Sequence, residues 1–255
     1  MRKNKLRCGD IIVESYYPEK ENNRIAIVYC AGIPSKSNIE EIAAEYVKEG
    51  FIFFHPKYFG SWESYGDFSV SGSKKTIISF IEALRKGELK TIFFDKFEIT
   101  MDKIILLGHS FGGSIALTAG AEIDVAGIVA LAPVIDYTKQ AKDKEMEEEN
   151  LKETFNFIKK GFENAYRGFS KSDWDELLKN GLDINPISYK EILKKKRVLL
   201  IHGRNDKSVC SKKTDNFSKI IFQKGSASKY IETAGNHSSI KVDSIKEIID
   251  WIKGL

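Results

Sequence analysis

The feature that most constrains the fold is a glycine-rich turn near the middle of the chain, in the stretch Lys103-Ile-Ile-Leu-Leu-Gly-His-Ser-Phe-Gly-Gly113. The apolar run before the turn predicts a buried strand, and the residues from Ser114 to about Ala121 predict a helix. Ser110 has a glycine two positions before it and another two positions after it. In a sharp strand-to-helix turn the serine hydroxyl stands clear of the sheet, and the glycines let strand and helix approach closely. The stretch therefore predicts a nucleophilic serine, and a turn with an incidental serine is the alternative.

Further strands and helices alternate along the rest of the chain. Strands are predicted at residues 24–30, 51–54, 125–132, 197–201 and 229–233, with edge strands within 6–17. Amphipathic helices are predicted from Ser37 or Asn38 to Gly50, from Ser73 to near Gly87, and over 212–224 and 240–255. This alternation predicts an α/β fold with a mostly parallel central sheet and helices on both faces.

Residues 135–189 interrupt the alternation with a charged, helical segment that holds no strand candidate. The segment leaves the carboxyl end of one strand and returns to the next strand, so we expect it to cover the edge of the sheet where ligands bind. The sequence thus predicts a core of residues 1–134 and 190–255 with a small helical cap insertion at 135–189. Phe155, Phe162 and Trp174 are candidates for the wall of a substrate pocket, and the alternative is that they only hold the cap helices together.

An acid and a base follow Ser110 in loops at the ends of later strands. Asp206 lies in His-Gly-Arg-Asn-Asp and His237 in Gly-Asn-His. A serine hydroxyl needs an imidazole as general base, and the imidazole needs a carboxylate that orients it. The order of the three side chains predicts that Ser110 is the nucleophile, Asp206 the acid and His237 the base, with Asp136 as the alternative acid.

The base is assigned by elimination among the four histidines. His109 precedes the nucleophile on the turn, so its side chain is expected to point away from that of the serine. His202 stands at the end of a strand and His55 beside a proline, and structural roles are expected for both. Only His237 lies in a loop at the far edge of the sheet, where it is free to reach back.

Composition excludes several other classes of protein. A net charge of +4 among 76 charged residues is close to balance, which predicts no nucleic-acid partner. No stretch reaches the roughly 18 apolar residues of a membrane span, and the first residues lack the apolar core of a signal peptide. Three widely spaced cysteines argue for a reducing compartment and against a disulfide scaffold or a zinc site. A cytoplasmic protein without membrane insertion is expected.

Together the motifs resemble the α/β-hydrolase fold, in its esterase and prolyl-oligopeptidase-like branch. Gly-His-Ser-Phe-Gly-Gly, His-Gly-Arg-Asn-Asp and Gly-Asn-His carry the resemblance, and Gly60-Ser-Trp-Glu-Ser-Tyr-Gly-Asp-Phe68 resembles the Gly-x-Gly-x-Ser-x-Gly segment of that branch. The resemblance implies a triad of Ser110, Asp206 and His237. It also implies that the backbone N–H groups of Phe111 and Ile33 form an oxyanion hole.

Two positions depart from the pattern of that branch. Ala31-Gly32 stands where relatives usually have His-Gly, and Trp62 where they usually have glycine. Backbone donors survive a side-chain change, so the oxyanion hole should still form, while Trp62 should narrow the rim of the substrate pocket.

We expect a serine hydrolase that cleaves carboxylic esters with short to medium acyl or aromatic groups, without metal or organic cofactor. An amide or peptide hydrolase of the same branch is the alternative, and a binding protein on a non-catalytic hydrolase fold is the alternative from another class. The expected partner is a small ester or a short peptide. The oligomeric state is left open, with a homodimer as one alternative.

Overall fold

The computed structural model describes residues 1–140, 148–223, 225 and 227–255. In these residues nine strands form a single sheet: β1 (Arg2–Cys8), β2 (Ile11–Tyr17), β3 (Ile25–Cys30), β4 (Ile52–Pro56), β5 (Lys90–Thr91), β6 (Lys103–His109), β7 (Gly127–Leu131), β8 (Val198–Gly203) and β9 (Lys229–Thr233). Their order across the sheet is β5-β1-β2-β4-β3-β6-β7-β8-β9.

The six strands from β4 to β9 in this order run parallel, as the sequence predicts. Strands β6, β7 and β8 are buried almost throughout, because helices cover both faces of the sheet. Continuous apolar runs without alternation are typical of such doubly covered strands. The fold class predicted from the sequence, an α/β-hydrolase fold, is confirmed.

The amino-terminal strands differ from the prediction of edge strands within 6–17. Strand β1 begins at Arg2, and β2 is an interior strand that pairs antiparallel with both β1 and β4. All but the last residue of β2 are buried, which agrees with an interior place in the sheet. The short strand β5, which the sequence did not indicate, pairs with the outer side of β1.

The α-helices of the described residues are α1 (Glu40–Lys48), α2 (Val70–Lys86), α3 (Phe111–Glu122), α4 (Leu151–Phe162), α5 (Lys171–Asn180), α6 (Lys190–Leu193), α7 (Ser211–Ile221), α8 (Ile240–Asp243) and α9 (Ile245–Lys253). Helix α3 packs on β6 and β7 beside α2, while α1 packs beside α9. These contacts place α3 directly behind the strand that carries the glycine-rich turn.

Several helix boundaries differ from the prediction by up to about three residues: α3 begins at Phe111 rather than Ser114, and α7 ends at Ile221 rather than at 224. Helix α2 begins three residues before Ser73, because Ser69 is its N-cap and accepts a hydrogen bond from the amide of Gly72. The predicted helix over 240–255 is divided into α8 and α9 at Ser244, which leaves the helical conformation. Gly87 ends α2 in a left-handed conformation with φ 67°, as glycine favours at helix ends.

Between β7 and β8 the described residues form helices α4, α5 and α6 and short 3-10 helices, and no named strand. Residues 163–169 run along the loop 60–68: Trp62 N donates to Ala165 O, Arg167 N to Gly60 O, and Phe68 N to Arg167 O. Residues 163–169 therefore lie against the loop that follows the carboxyl end of β4.

In the described part of the chain, every helix is too short or too polar to cross a membrane.

Candidate active site

Ser110 occupies a strained position between β6 and α3. Its backbone has φ 57° and ψ −123°, a combination that a residue with a side chain rarely adopts. The amide of Ser110 donates a 2.8 Å hydrogen bond to the carbonyl of Leu131 at the end of β7, which supports the strained turn. Backbone strain of this kind is concentrated at functional sites, where the surrounding structure maintains it.

Close approach of the backbone explains the two flanking glycines. A Cβ atom on Gly108 would lie 2.0 Å from the carbonyl oxygen of Gly112. A Cβ atom on Gly112 would lie 2.0 Å from the carbonyl oxygen of Cys30, at the end of β3. Both distances are far below a van der Waals contact, so only glycine fits at either position.

Asp206 and His237 are joined across the ends of β8 and β9. His237 Nδ1 lies 2.7 Å from Asp206 Oδ2, and Oδ1 accepts hydrogen bonds from the amides of Ser208 and Val209 at 2.8 and 2.9 Å. The Asp206 side chain has no exposed surface, while that of His237 is 21 % exposed.

The environment of Asp206 keeps it ionised. Burial alone would raise the pKa of this carboxyl, but hydrogen bonds from His202, His237 and the Val209 amide hold the pKa well below its usual range. An ionised carboxylate can only accept, so His237 Nδ1 carries a proton and donates it to Asp206 in a hydrogen bond.

No hydrogen bond joins Ser110 Oγ to the His237 ring among the interactions of the described residues. Hydrogen bonds within catalytic groups are often long without substrate and tighten in the complex. The arrangement therefore has the acid–base contact formed and the base–nucleophile contact open.

The loop after β3 passes beside the nucleophile. A Cβ atom on Gly32 would lie 3.7 Å from Ser110 Cβ. The amide of Ile33 in this loop and the amide of Phe111, the first residue of α3, have no acceptor among the described residues. Unpaired amides at the start of a helix and in a neighbouring loop are the groups that bind an oxyanion.

Three side chains hold the loop after β3 in place. Tyr58 Oη donates a 2.7 Å hydrogen bond to Ala31 O. Tyr166 Oη, from the segment between β7 and β8, accepts from the Ser35 amide at 3.0 Å. The buried ammonium of Lys57 donates to the carbonyl of Ser37.

Asp136, the alternative acid, is engaged elsewhere. Its Oδ1 accepts from the amide and the hydroxyl of Thr138 at 3.0 and 2.7 Å, and from Asn185 Nδ2 at 3.1 Å. These contacts cap a short 3-10 helix and do not involve His237.

Two further histidines contact the candidate triad, and sequence reasoning missed both contacts. His109 Nε2 donates to the carbonyl of His237 at 2.7 Å, and the two rings lie 4.7 Å apart. Burial lowers the pKa of His109 to about 3, so the ring is neutral beside the candidate base. His202 Nε2 lies 3.1 Å from Asp206 Oδ2. The four-residue spacing of His202 and Asp206 around a turn was the one sequence signal for the second contact.

The candidate pocket residues lie in different environments. Trp174 is 2 % exposed, packs edge-on against Phe169 and donates from Nε1 to Leu151 O. Phe155 is also buried and packs on Phe169, so both rings belong to the interior of the segment rather than to an open wall. Phe162 is half-buried beside the exposed ring of Phe157.

Trp62 is half-buried in the loop 60–68, with its indole nitrogen buried and unpaired among the described residues. Its φ of 48° lies in the left-handed region that favours glycine. Glycine adopts this conformation without strain. This explains why members of the branch that the sequence resembles usually have glycine at this position.

Within residues 1–140, 148–223, 225 and 227–255, no group of three or more His, Cys, Asp or Glu side chains is arranged to hold a metal ion.

The fold and the family match make this chain a serine hydrolase of the α/β-hydrolase fold. Residues 42–254 match the model of the prolyl oligopeptidase family, peptidase family S9, and the chain belongs to that family. No curated protein sequence matches the chain significantly.

Solved structures resemble the whole chain at low sequence identity. Est1E from Butyrivibrio proteoclasticus is 17 % identical with a TM-score of 0.64, and the alignment covers 99 % of this chain and 98 % of Est1E. The esterase Pf2001 of Pyrococcus furiosus is 15 % identical with a TM-score of 0.65, covering 99 % and 91 %. The acylaminoacyl peptidase of Pyrococcus horikoshii is 15 % identical with a TM-score of 0.64, covering 99 % of this chain but 41 % of the peptidase. Identities this low establish a shared fold.

Proposed function

We propose that this protein hydrolyses carboxylic esters through an acyl-enzyme on Ser110, with His237 as general base and Asp206 as the acid that orients it. The observation that carries the proposal is the 2.7 Å hydrogen bond from His237 Nδ1 to a buried, ionised Asp206, at the same edge of the sheet as the strained Ser110 turn. A carboxylate in this position sets the tautomer of the imidazole and stabilises its protonated form.

The proposed reaction has two steps. In the first step, Ser110 Oγ attacks the ester carbonyl while its proton passes to His237 Nε2. The tetrahedral intermediate then breaks down, and His237 returns the proton to the departing alcohol. In the second step, His237 takes a proton from water, the resulting hydroxide attacks the acyl-enzyme, and the acid leaves as Ser110 Oγ regains a proton.

We assign the oxyanion hole to the amides of Phe111 and Ile33. Both amides lack an acceptor among the described residues, and the loop that carries Ile33 is held by Tyr58, Tyr166 and Lys57. Donors that are already in place need no reorganisation when charge develops on the carbonyl oxygen, which is why such groups lower the barrier.

Cleavage of esters with short to medium acyl or aromatic groups is supported by the neighbours in structure. Est1E and Pf2001 are both related in fold, and Pf2001 is named an esterase. Est1E has also been crystallised with ferulic acid, an aromatic carboxylic acid, bound. Among the pocket candidates, Trp62 and Phe162 are half-buried rather than buried, which leaves part of each residue available to contact such a group.

An amide or peptide hydrolase is the second candidate. The family name and the resemblance to an acylaminoacyl peptidase favour it. Both candidates use the same nucleophile, so substrate preference, rather than the identity of the triad, separates them. A binding protein without catalytic activity is the third candidate, and the fluorophosphonate labelling described next tests it.

A fluorophosphonate probe tests the nucleophile. The wild-type protein should be labelled, and Ser110→Ala should not; absence of labelling in folded wild-type protein would contradict the enzyme proposal and favour a binding protein. A panel of nitrophenyl esters of graded acyl length, compared with aminoacyl anilides, then separates ester from amide hydrolysis. Faster turnover of the anilides than of every ester would support the peptide hydrolase instead.

We also propose a reducing, cytoplasmic setting. Cys8, Cys30 and Cys210 are all free thiols, which supports this proposal. Secretion in an active, oxidised form would argue against it.

A further inference from the structure

The Asp206 carboxylate accepts hydrogen bonds from two imidazoles through the same oxygen. Oδ2 lies 2.7 Å from His237 Nδ1 and 3.1 Å from His202 Nε2, while Oδ1 is occupied by two backbone amides. The side chains of Asp206 and His202 have no exposed surface. A buried carboxylate with four N–H donors has its orientation and charge distribution set by all four of them.

Two contacts determine which nitrogen of His202 carries the proton. Nε2 lies near two acceptors, Asp206 Oδ2 and the carbonyl of Val209 at 3.0 Å, so Nε2 must be the N–H. Nδ1 lies 2.8 Å from the hydroxyl of Thr214, a fully buried residue of α7 that can donate to it. The hydrogen-bond pattern thus places a proton on Nε2, directed at Asp206.

We propose that His202 is a positioning residue that acts on His237 through Asp206, holding Oδ2 towards His237 Nδ1 and withdrawing part of the carboxylate charge from that contact. The proposal deepens, and rests on, the hydrolase function proposed above. A carboxylate that shares Oδ2 with a second donor stabilises the imidazolium of His237 less strongly.

The other titratable groups around this cluster do not provide the same effect. His109 contacts His237 from the end of β6 and is neutral, because burial holds its pKa near 3. Lys241 of α8 adds positive charge from the helix after the His237 loop and contributes to that lowering. Arg204 and Glu232 pair with each other at the exposed ends of β8 and β9. His202 is the group that contacts the carboxylate itself.

Titration of the His237 imidazole by NMR tests the proposal without requiring turnover. The chain has only four histidines, so isotope-labelled histidine gives few signals to assign. In His202→Met the midpoint of the His237 titration should rise by about half a unit to one unit, because Asp206 then directs more of its charge at His237. His202→Gln restores an N–H donor near the original position and should bring the midpoint back towards the wild-type value.

The pH profile of kcat/KM gives a second readout. The acidic limb reports loss of the proton from the base of the free enzyme, so it should move upward by the same amount in His202→Met. On the acidic limb, well below the midpoint, kcat/KM should fall by about three- to tenfold, and the difference should close at alkaline pH. A residue that only stabilises the loop would instead lower activity at every pH and leave both midpoints unchanged.

Two variants of α7 keep the test decisive if His202→Met does not fold. Thr214→Val removes the donor to Nδ1 and should shift the His237 midpoint upward by a smaller amount, while Thr214→Ser should retain the wild-type value. Ser218→Ala is the matched control, since Ser218 is buried on the same helix but bonds to Asp215 O.

The outcomes separate the two proposals. An unchanged His237 midpoint in folded His202→Met or Thr214→Val overturns the role of His202, whatever the enzyme hydrolyses. A raised midpoint in a protein that neither reacts with fluorophosphonate nor cleaves any substrate supports the role of His202 and contradicts the proposed function.

Discussion

Replacement of Asp206 by asparagine is the sharpest perturbation of the proposed site. The carboxylate faces N–H donors on both oxygens: two backbone amides at Oδ1 and two imidazoles at Oδ2. An asparagine has one oxygen and one NH₂ group, so in either orientation its NH₂ group faces donors. The variant keeps the size of the side chain and removes its ability to accept on both sides.

The expected loss of turnover follows from this geometry. If the NH₂ group faces His237, the imidazole must turn or adopt the opposite tautomer, and Nε2 then carries a proton and cannot act as base. Turnover should fall by about 10³- to 10⁴-fold. This corresponds to roughly 4–5 kcal/mol in the activation free energy. Loss of charge-assisted hydrogen bonds should also destabilise the fold by about 2 kcal/mol at neutral pH.

The stability difference should depend on pH with a definite sign. The folded protein holds the pKa of Asp206 below its usual range, so the stabilisation is present above the unfolded value of about 3.9 and is lost as the pH falls below it. Urea denaturation of wild type and Asp206→Asn should therefore show the full difference near pH 7 and a smaller one near pH 3.5.

Asp136→Asn is the control, because Asp136 bonds only to Thr138 and Asn185 among the contacts described above. Asp136→Asn should retain the wild-type turnover of the best nitrophenyl ester, measured in the same assay as Asp206→Asn. Wild-type turnover in Asp206→Asn combined with a large loss in Asp136→Asn would refute the assignment of the acid.

Gly112→Ala should abolish fluorophosphonate labelling, because its Cβ would lie 2.0 Å from Cys30 O and force the Ser110 turn to move; normal labelling would contradict the close-packed turn. Tyr166→Phe removes the acceptor for the Ser35 amide, and we expect kcat to fall about fivefold with KM nearly unchanged. An effect confined to KM would assign Tyr166 to substrate binding. Burial lowers the pKa of Lys57 to about 8 from 10.5, so the unfolded chain binds more protons and stability should rise between these pH values. Denaturant titrations of wild type and Lys57→Met measure this rise, which should be absent from the variant.

The sequence was sufficient to predict the parallel part of the sheet and the turn at its centre. Continuous apolar runs mark strands that are covered on both faces, and this signal is local to each run. The glycine spacing around Ser110 was equally informative, because the structure places Gly108 and Gly112 against backbone atoms that leave no room for a side chain. The order in which Asp206 and His237 follow also lies in the sequence, and the structure adds their hydrogen bond.

The interior place of β2 and the short strand β5 could not be predicted in the same way. Their positions depend on pairing with β4 and β1, which are distant in sequence, and a two-residue strand has no periodicity to detect. The unusual φ of Trp62 depends likewise on the segment 163–169 that packs against it, and the burial of Trp174 depends on packing within residues 135–189.

The chemical identity of the candidate site was thus determined by the sequence, since a serine between glycines and a later acid and base are local patterns. Only the tertiary structure decided how His109 and His202 are placed relative to the candidate triad. His109 ends β6, His202 lies in β8 and His237 follows β9. The parallel sheet brings the carboxyl ends of these three strands to one edge. His109, at the end of β6, contacts the backbone of His237 because the loop after β9 reaches back along this edge of the sheet, which is a contact between residues far apart in the chain. His202 contacts Asp206 across the turn that follows β8, over only four residues.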